Sequence, residues 1–158
     1  MKSKTISQAA EKSQAAPSRK PNARQRILVV EDDADIRRMN TEVLVYSGYH
    51  VDTAEDGAAA WHVLQLNNYD LVVTDNQMPK LTGIELIEKL QAARMVLPVI
   101  MATSAIPNEE IRRRHLLQPE MTLIKPYTYN ELLAAVKNVL RIASDSLGET
   151  APPPNWQI

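Results

Sequence analysis

The chain has 158 residues and contains no cysteine. This absence excludes disulfides, zinc sites built from thiolates and a cysteine nucleophile, and it fits a reducing compartment. No apolar run approaches the roughly 18 residues that a membrane-spanning helix needs. No charged-then-apolar secretory signal opens the chain. We therefore expect a cytoplasmic protein that has no membrane partner.

Glycine is also scarce, with four residues in the whole chain. No G-x-G-x-x-G pattern follows the first apolar segment, "RILVV". Because phosphate-binding loops for dinucleotides depend on that pattern, the sequence disfavours a nucleotide or flavin binder.

Positive charge is concentrated near the start of the chain. Residues 1–26 carry seven Lys or Arg and one acid, whereas residues 27–142 carry 11 basic and 16 acidic residues. The body of the protein therefore lacks the basic surface that direct binding to nucleic acid requires. Residues 1–25 have almost no large apolar side chains, which predicts a disordered basic tail. Residues 144–158 contain three successive prolines and are predicted to form a second, extended tail.

Between these tails, over residues 26–143, short apolar segments alternate with segments of helical periodicity. Strands are predicted at residues 26–30, 49–54, 70–74, 97–103 and 121–124, and helices at residues 35–47, 56–68, 83–94, 108–118 and 128–143. Strands that alternate with helices of this length imply right-handed crossovers and a parallel sheet covered on both faces. The sequence therefore predicts one α/β domain with five strands and five helices.

The helices have recognisable caps and apolar faces. Asp33 is predicted to cap the first helix and Thr128 the last one, because their side-chain oxygens can accept hydrogen bonds from the first turn. The apolar face of the first helix is predicted to contain Ile36, Met39, Val43 and Leu44.

Charged and polar residues follow four of the five predicted strands. Glu31 and Asp32 follow the first strand, Asp75 the third, Thr103 the fourth and Lys125 the fifth. In an open α/β sheet, ligands bind at the carboxyl ends of the strands. Carboxylates that lie close together repel and need a cation, and hard oxygen ligands with open positions suit Mg²⁺. With a lysine and a hydroxyl opposite, the group can hold one phosphoryl group, which makes Asp75 the predicted acceptor.

Four motifs, "ILVVEDD", "LVVTDNQMPKLTG", "PVIMATSA" and "LIKPY", occur in this order and at these spacings. Together they resemble the receiver domain of two-component response regulators, of the single-domain, chemotaxis-regulator-like type. The resemblance covers residues 26–143 and implies a flavodoxin-like, doubly wound sheet with the strand order 2-1-3-4-5. It also implies phosphorelay signalling, in which Asp75 takes a phosphoryl group from a histidine kinase or a histidine phosphotransfer protein.

The resemblance implies a Mg²⁺ ion beside the phosphorylated aspartate, Asp75. Asp32 and Asp75 would be direct ligands, and Glu31 would act through water. The backbone carbonyl of Gln77 would be the third protein ligand. The protein would then be a stoichiometric phosphoacceptor with slow self-dephosphorylation rather than an enzyme.

The remaining site residues also have counterparts in the family. Thr103 would be the switch hydroxyl and Lys125 the lysine that contacts the phosphoryl group, followed by a cis bond to Pro126. Phosphorylation would change the face formed by the fourth helix, fifth strand and fifth helix, which would bind a downstream protein. Two departures stand out: Thr122 occupies a position where the family often has an aromatic residue, and Asn76 one where an apolar residue is common.

Other functions stay open at this stage. A phosphohydrolase of the haloacid dehalogenase type needs a second acid two residues after its nucleophile, and Gln77 stands there instead. An unphosphorylated, receiver-like binding module is a second alternative. The segment from Arg141 onward is expected to be too short for a helix-turn-helix output domain, so the chain would act through a partner or a phosphorelay, or be a fragment of a larger regulator.

Overall fold

The computed structural model describes residues 24–105 and 120–148. The secondary-structure elements within these residues are β1 (Arg26–Val30), α1 (Ala34–Tyr46), β2 (His50–Ala54), α2 (Gly57–Leu66), β3 (Leu71–Thr74), α3 (Gly83–Ala92), β4 (Val99–Thr103), β5 (Met121–Ile124) and α4 (Tyr129–Gly148). All five strands are parallel and lie in the order β2-β1-β3-β4-β5. The predicted α/β fold and strand order are therefore confirmed.

Three predicted segments lie outside the described residues. These are the predicted fourth helix over residues 108–118, residues 1–23 of the first tail and residues 149–158 of the second tail. The helix called α4 here is the fifth helix of the sequence prediction. Within the part of the chain that the structure describes, no helix has the length and apolar character needed to cross a membrane.

Both faces of the sheet are covered by helices. On one face, Leu28, Val30 and Val72 belong to a cluster that also contains buried residues of α2 and α3. On the other face, Ile27, Val29, Leu71, Val73 and Ile100 pack with Leu44 of α1 and with a row of α4 side chains. Because successive residues of β1, β3 and β4 point to opposite faces that are both buried, these three strands read as continuous apolar runs.

Both predicted helix caps are confirmed. The Asp33 carboxylate accepts hydrogen bonds from the N–H groups of Asp35 and Ile36 at 2.9 and 3.0 Å, and these bonds help to hold the pKa of Asp33 below its ordinary value. At the start of α4, Thr128 Oγ1 accepts from the N–H of Glu131 at 3.2 Å, while Glu131 Oε2 accepts from the N–H of Thr128 at 2.6 Å. This reciprocal pair is a capping box.

The buried face of α1 differs from the prediction. Met39 was predicted to be buried and is 42% exposed, whereas the neighbouring Asn40 is only 4% exposed. A polar side chain can take a core position when its hydrogen bonds are satisfied there, and the Asn40 amide bonds to the hydroxyl of Tyr127. The prediction for Met39 was wrong. Sequence periodicity places only apolar residues in the core, and here the polar Asn40 is buried while Met39 is exposed.

The last helix extends to Gly148, five residues beyond its predicted end at residue 143. Its final turns are polar, and their side chains bond within the helix. The hydroxyls of Ser144 and Ser146 donate to the carbonyls of Leu140 and Ile142 at 2.9 Å. A serine-rich segment that was assigned to the tail therefore forms part of the helix instead.

Candidate functional site

Three carboxylates meet where β1 and β3 end. Glu31 and Asp32 follow β1, and Asp75 follows β3, which pairs directly with β1. The N–H of Asp75 donates to the carbonyl of Val30 at 3.1 Å, which fixes the two strand ends side by side. One carboxylate oxygen from each acid lies within 4.8 Å of the others. Glu31 and Asp75 are buried and Asp32 is exposed, so the cluster is open to solvent on the Asp32 side.

Lys125 supplies the counter-charge to this acid cluster (Glu31, Asp32 and Asp75). Its Nζ lies 2.8 Å from Glu31 Oε2 and 3.2 Å from Asp75 Oδ2. Burial by itself would lower the pKa of Lys125. The hydrogen bond to Glu31 and the charges of Glu31 and Asp75 outweigh burial and raise that pKa above its ordinary value. The lysine is therefore charged at neutral pH and neutralises part of the cluster.

Within the acid cluster, Glu31 has a pKa above its ordinary value. Burial raises the pKa of its carboxyl group, and the nearby charge of Asp75 acts in the same direction. The hydrogen bond and charge of Lys125 oppose this rise without cancelling it. Three carboxylates share one lysine here, and this excess of negative charge suits the cluster to a second cation.

The Asp75 carboxylate is held in place on both oxygens. Oδ1 accepts hydrogen bonds from the N–H groups of Asn76 at 2.6 Å and Gln77 at 3.2 Å, and Oδ2 accepts from Lys125. The buried hydroxyl of Thr74 donates to the backbone carbonyl of Asp75 at 2.9 Å. A rigid strand end and three hydrogen bonds to the carboxylate therefore orient this side chain at the mouth of the site.

Thr103 ends β4 beside the lysine. The N–H of Lys125 donates to the carbonyl of Thr103 at 2.9 Å. The Thr103 side chain is 1% exposed, and its hydroxyl has no hydrogen-bond partner among the residues that the structure describes. An unpaired buried hydroxyl costs about 1–3 kcal/mol, so this oxygen is available to an incoming acceptor. The Lys125–Pro126 bond is cis, as predicted.

Three of the four predicted metal ligands form the acid cluster, and the fourth, Gln77, lies beside it. The structure brings Glu31, Asp32 and Asp75 together, as predicted. Gln77 lies next to them through its backbone, since its N–H contacts Asp75, while its side chain is exposed. The assignment of the Gln77 carbonyl as a ligand stays a prediction.

Sequence reasoning missed one residue that shapes the acidic turn. Arg37, in the first turns of α1, donates from Nη1 to the carbonyl of Glu31 at 2.6 Å and to that of Asp32 at 3.4 Å. This contact holds the turn from which both acids project. The sequence signal for this contact was an arginine in the first turn of a helix that starts immediately after an acidic segment.

Asn76 also has a structural partner. Its side-chain oxygen accepts from the N–H of Ile84 at 3.1 Å, in the first turn of α3. Its backbone carbonyl accepts from the N–H of Gly83 at 3.2 Å. The residue therefore ties the loop after Asp75 to the start of α3. This explains a polar residue at a position where the family commonly has an apolar one.

Gly83 allows α3 to approach the acceptor loop closely. A Cβ at this position would lie 2.4 Å from the carbonyl oxygen of Asp75. We expect Gly83→Ala to lower the free energy of unfolding by about 1–3 kcal/mol, because overpacked contacts force the backbone to shift. Urea denaturation followed by circular dichroism measures this loss, and amide shifts of Asp75 and Asn76 report the displacement.

Gly48→Ala is the control for this substitution. Gly48 has a φ of 95° at the turn after α1, and nothing lies within 4 Å of an added Cβ. Its replacement strains the backbone, so it should lower stability without changing the amide shifts of Asp75. Wild-type stability in Gly83→Ala would contradict the close approach.

The family model of the response regulator receiver domain matches residues 27–137, which is more than half of the chain. The chain belongs to the response regulator receiver domain family. It is 33% identical over 126 residues to the probable transcriptional regulatory protein SilR of Salmonella typhimurium, covering 79% of this chain and 55% of that protein. The chain spans about half the length of the curated relatives it matches.

Solved receiver domains have the same fold. A CheY-like response regulator receiver domain protein from Methanospirillum hungatei superimposes with a TM-score of 0.73 at 25% identity, covering 78% of this chain and 99% of that chain. The response regulator TrrA of Thermotoga maritima, solved in complex with Mg²⁺-BeF, superimposes with a TM-score of 0.64 at 31% identity. The match covers 73% of this chain and 98% of that chain. The family and fold that the four motifs suggested are therefore confirmed.

Proposed function

We propose that this receiver domain is a phosphorylation-controlled switch in which Asp75 accepts the phosphoryl group. The donor is a histidine kinase or a histidine phosphotransfer protein. The supporting observation is the buried Asp75 carboxylate, which lies 3.2 Å from Lys125 and within 4.8 Å of two further carboxylates. A structural ion pair needs one acid. Gathering three at a solvent-open edge costs stability and is explained by a functional requirement.

The acid cluster fits Mg²⁺. Its donors are hard carboxylate oxygens, and the exposed Asp32 leaves one side open to the waters that Mg²⁺ retains. Glu31, Asp32 and Asp75 would hold the ion, together with the predicted carbonyl ligand of Gln77. When bound, the ion neutralises negative charge on the phosphoryl oxygens. The Thermotoga maritima relative was solved with Mg²⁺-BeF, which supports this assignment.

Phosphoryl transfer follows from the arrangement of the side chains. An Asp75 oxygen forms a bond to phosphorus while the P–N bond of the donor phosphohistidine breaks. The electron pair of that bond stays on the imidazole nitrogen, which takes a proton. Lys125 stabilises the charge on the transferred group, and the Thr103 hydroxyl can donate to one of its oxygens. Slow hydrolysis of the acyl phosphate then resets the protein, which acts as a stoichiometric acceptor and not as an enzyme.

The output of the switch passes to a protein partner. We assign it to the face that includes the predicted helix over residues 108–118, β5 and α4. Thr103 pairs with Ile124 across β4 and β5, so a movement of Thr103 displaces the strand that carries Ile124. Ile124 and Tyr129 are 45% and 51% exposed, which leaves apolar surface available for a partner on this side.

The test of this function is phosphorylation in solution. The protein is incubated with Mg²⁺ and acetyl phosphate, and its intact mass is measured beside that of Asp75→Asn. The wild type should gain the mass of one phosphoryl group and the variant none. If neither gains it, beryllofluoride with Mg²⁺ is added and NMR spectra are recorded, because a short-lived acyl phosphate escapes detection by mass. Unchanged spectra would overturn the proposal in favour of an unphosphorylated binding module.

A further inference from the structure

A polar pair, the buried Asn40 and the half-buried Tyr127, joins α1 to the loop between β5 and α4. Asn40 Nδ2 donates to the hydroxyl of Tyr127 at 2.9 Å, and that hydroxyl donates to Asn40 Oδ1 at 3.2 Å. Asn40 is 4% exposed, and Tyr127 packs against the core cluster shared by α1, α4 and the sheet. One hydroxyl therefore bonds to both polar atoms of a buried amide, across 87 positions of the chain.

A polar pair at this position needs a reason, because two apolar side chains would fill the same space without desolvation. Burying an unpaired amide is unfavourable, and its hydrogen bonds recover that cost with little surplus. What the pair adds is direction. Two hydrogen bonds at one hydroxyl fix where the ring of Tyr127 lies along α1, whereas an apolar contact allows it to slide.

The loop that the pair fixes carries the site lysine. Lys125 lies two residues before Tyr127, and its N–H is bonded to Thr103 of β4. On the other side of Tyr127, the capping box of Thr128 and Glu131 starts α4. The loop between these two attachments is short, so the position of Tyr127 limits where the Lys125 ammonium can reach.

The same helix also holds the acidic turn. Arg37, three residues before Asn40, donates to the carbonyl of Glu31 at 2.6 Å. Residues three apart lie on neighbouring positions of a helix surface. One surface of α1 therefore contacts both the turn that carries Glu31 and the loop that carries Lys125, although these loops follow strands that are not adjacent in the sheet.

We propose that Asn40 and Tyr127 are positioning residues that hold Lys125 at the distance from Glu31 and Asp75 that phosphoryl transfer needs. The inference rests on the proposed function of Asp75 and deepens it. In this arrangement α1 contacts both loops and so fixes the distance between the acids and the lysine. Neither Asn40 nor Tyr127 contacts the reacting atoms, so both act through Lys125.

The first readout is the rate of phosphorylation by acetyl phosphate in Tyr127→Phe and Asn40→Leu. We expect each variant to react about tenfold more slowly than the wild type, because a small misplacement of a charge-stabilising group is costly. The affinity for Mg²⁺ should stay unchanged, since Lys125 is not a ligand of the ion. Tyr46→Phe, which removes a hydroxyl from a tyrosine of α1 that is 95% exposed, is the matched control and should react at the wild-type rate. A wild-type rate in Tyr127→Phe would overturn the proposal.

The double variant Asn40→Leu/Tyr127→Phe separates position from stability. It replaces both polar partners by apolar groups, so it should recover most of the unfolding free energy that either single variant loses. If the pair positions Lys125, the slow phosphorylation persists in the double variant. If the rate recovers together with stability, the pair is only structural and the proposal is overturned.

A second readout does not depend on phosphoryl transfer. The ammonium protons of Lys125, which are bonded to Glu31 and Asp75, should exchange slowly with water in the Mg²⁺-free wild type, as seen by nitrogen-15 NMR. Exchange should be several-fold faster in Tyr127→Phe and in the double variant, but not in Tyr46→Phe. Equal exchange in all variants would overturn the positioning role. Failure of the wild type to be phosphorylated would instead overturn the function of Asp75 and leave this test standing.

Discussion

Replacing Lys125 by methionine is expected to lower the free energy of unfolding by about 3–5 kcal/mol at neutral pH without Mg²⁺. The Lys125 side chain is 15% exposed, and its ammonium contacts Glu31 and Asp75 at 2.8 and 3.2 Å. Methionine keeps most of the apolar stem, so packing changes little, but two buried carboxylates lose their counter-charge. Urea denaturation measures the loss. Phosphorylation should also slow sharply, because no other described side chain contacts Asp75 Oδ2 with a positive charge.

Lys80→Met is the matched control for this substitution. Lys80 Nζ also contacts a buried carboxylate, at 2.9 Å from Asp56 Oδ2, but its side chain is 65% exposed. Water screens an exposed ammonium, and Asp56 keeps its hydrogen bond from the N–H of Ala59 at 2.8 Å. The control should therefore lose much less stability than Lys125→Met. Equal losses in both variants would contradict the view that burial of the Lys125 contact makes it important.

The loss of unfolding free energy in Lys125→Met should depend on pH. Burial raises the pKa of Glu31 above its ordinary value of 4.5, and loss of the lysine raises it further. A carboxyl group with a raised folded pKa stabilises the fold when protonated, and this contribution is lost as pH rises through the folded pKa. The difference in unfolding free energy between the wild type and Lys125→Met should become smaller as pH falls from neutral towards 4.5. Millimolar Mg²⁺ should also restore part of the loss, because the cation replaces the missing charge.

The sequence was sufficient to predict the candidate site because the site depends on strand ends. A run of four buried residues, Leu71–Thr74, defines β3 and places Asp75 directly after it. In a parallel sheet with helical crossovers, all strands end at one edge. Locating each strand was therefore enough to bring Glu31, Asp75 and Lys125 together. Local pattern and topology lead to the same arrangement here, so no knowledge of side-chain packing was needed.

The residues that the sequence did not reveal depend on packing between distant segments. Asn40 interrupts the apolar face of α1, and only its partner, 87 residues later, explains why it is buried. The requirement for glycine at position 83 exists because α3 lies against the carbonyl of Asp75, a distance that no sequence pattern encodes. Arg37 is a similar case, since an arginine on a helix is usually solvated. Each missed residue supports the site from outside it.

Replacing Asp32 by asparagine is expected to weaken Mg²⁺ binding by at least about tenfold, because it removes one anionic oxygen ligand of a hard cation. Asp32 is exposed, so the substitution opens no cavity and relieves repulsion with Glu31 and Asp75. The unfolding free energy without Mg²⁺ should therefore be unchanged or slightly higher. Calorimetric titration with MgCl₂ measures the affinity. Phosphorylation by acetyl phosphate should be slow at low Mg²⁺ and recover as the Mg²⁺ concentration rises.

Asp33→Asn is the control that gives this result its meaning. It removes the same charge one residue further on, but Asp33 caps α1, and asparagine is an equally good N-cap. If the cation is held by direct contact with Asp32, only Asp32→Asn loses affinity, and added Mg²⁺ rescues its phosphorylation. If both variants lose affinity equally, the ion responds to the net negative charge at this edge of the sheet. The assignment of Asp32 as a ligand would then be wrong, although Asp75 could still be the acceptor.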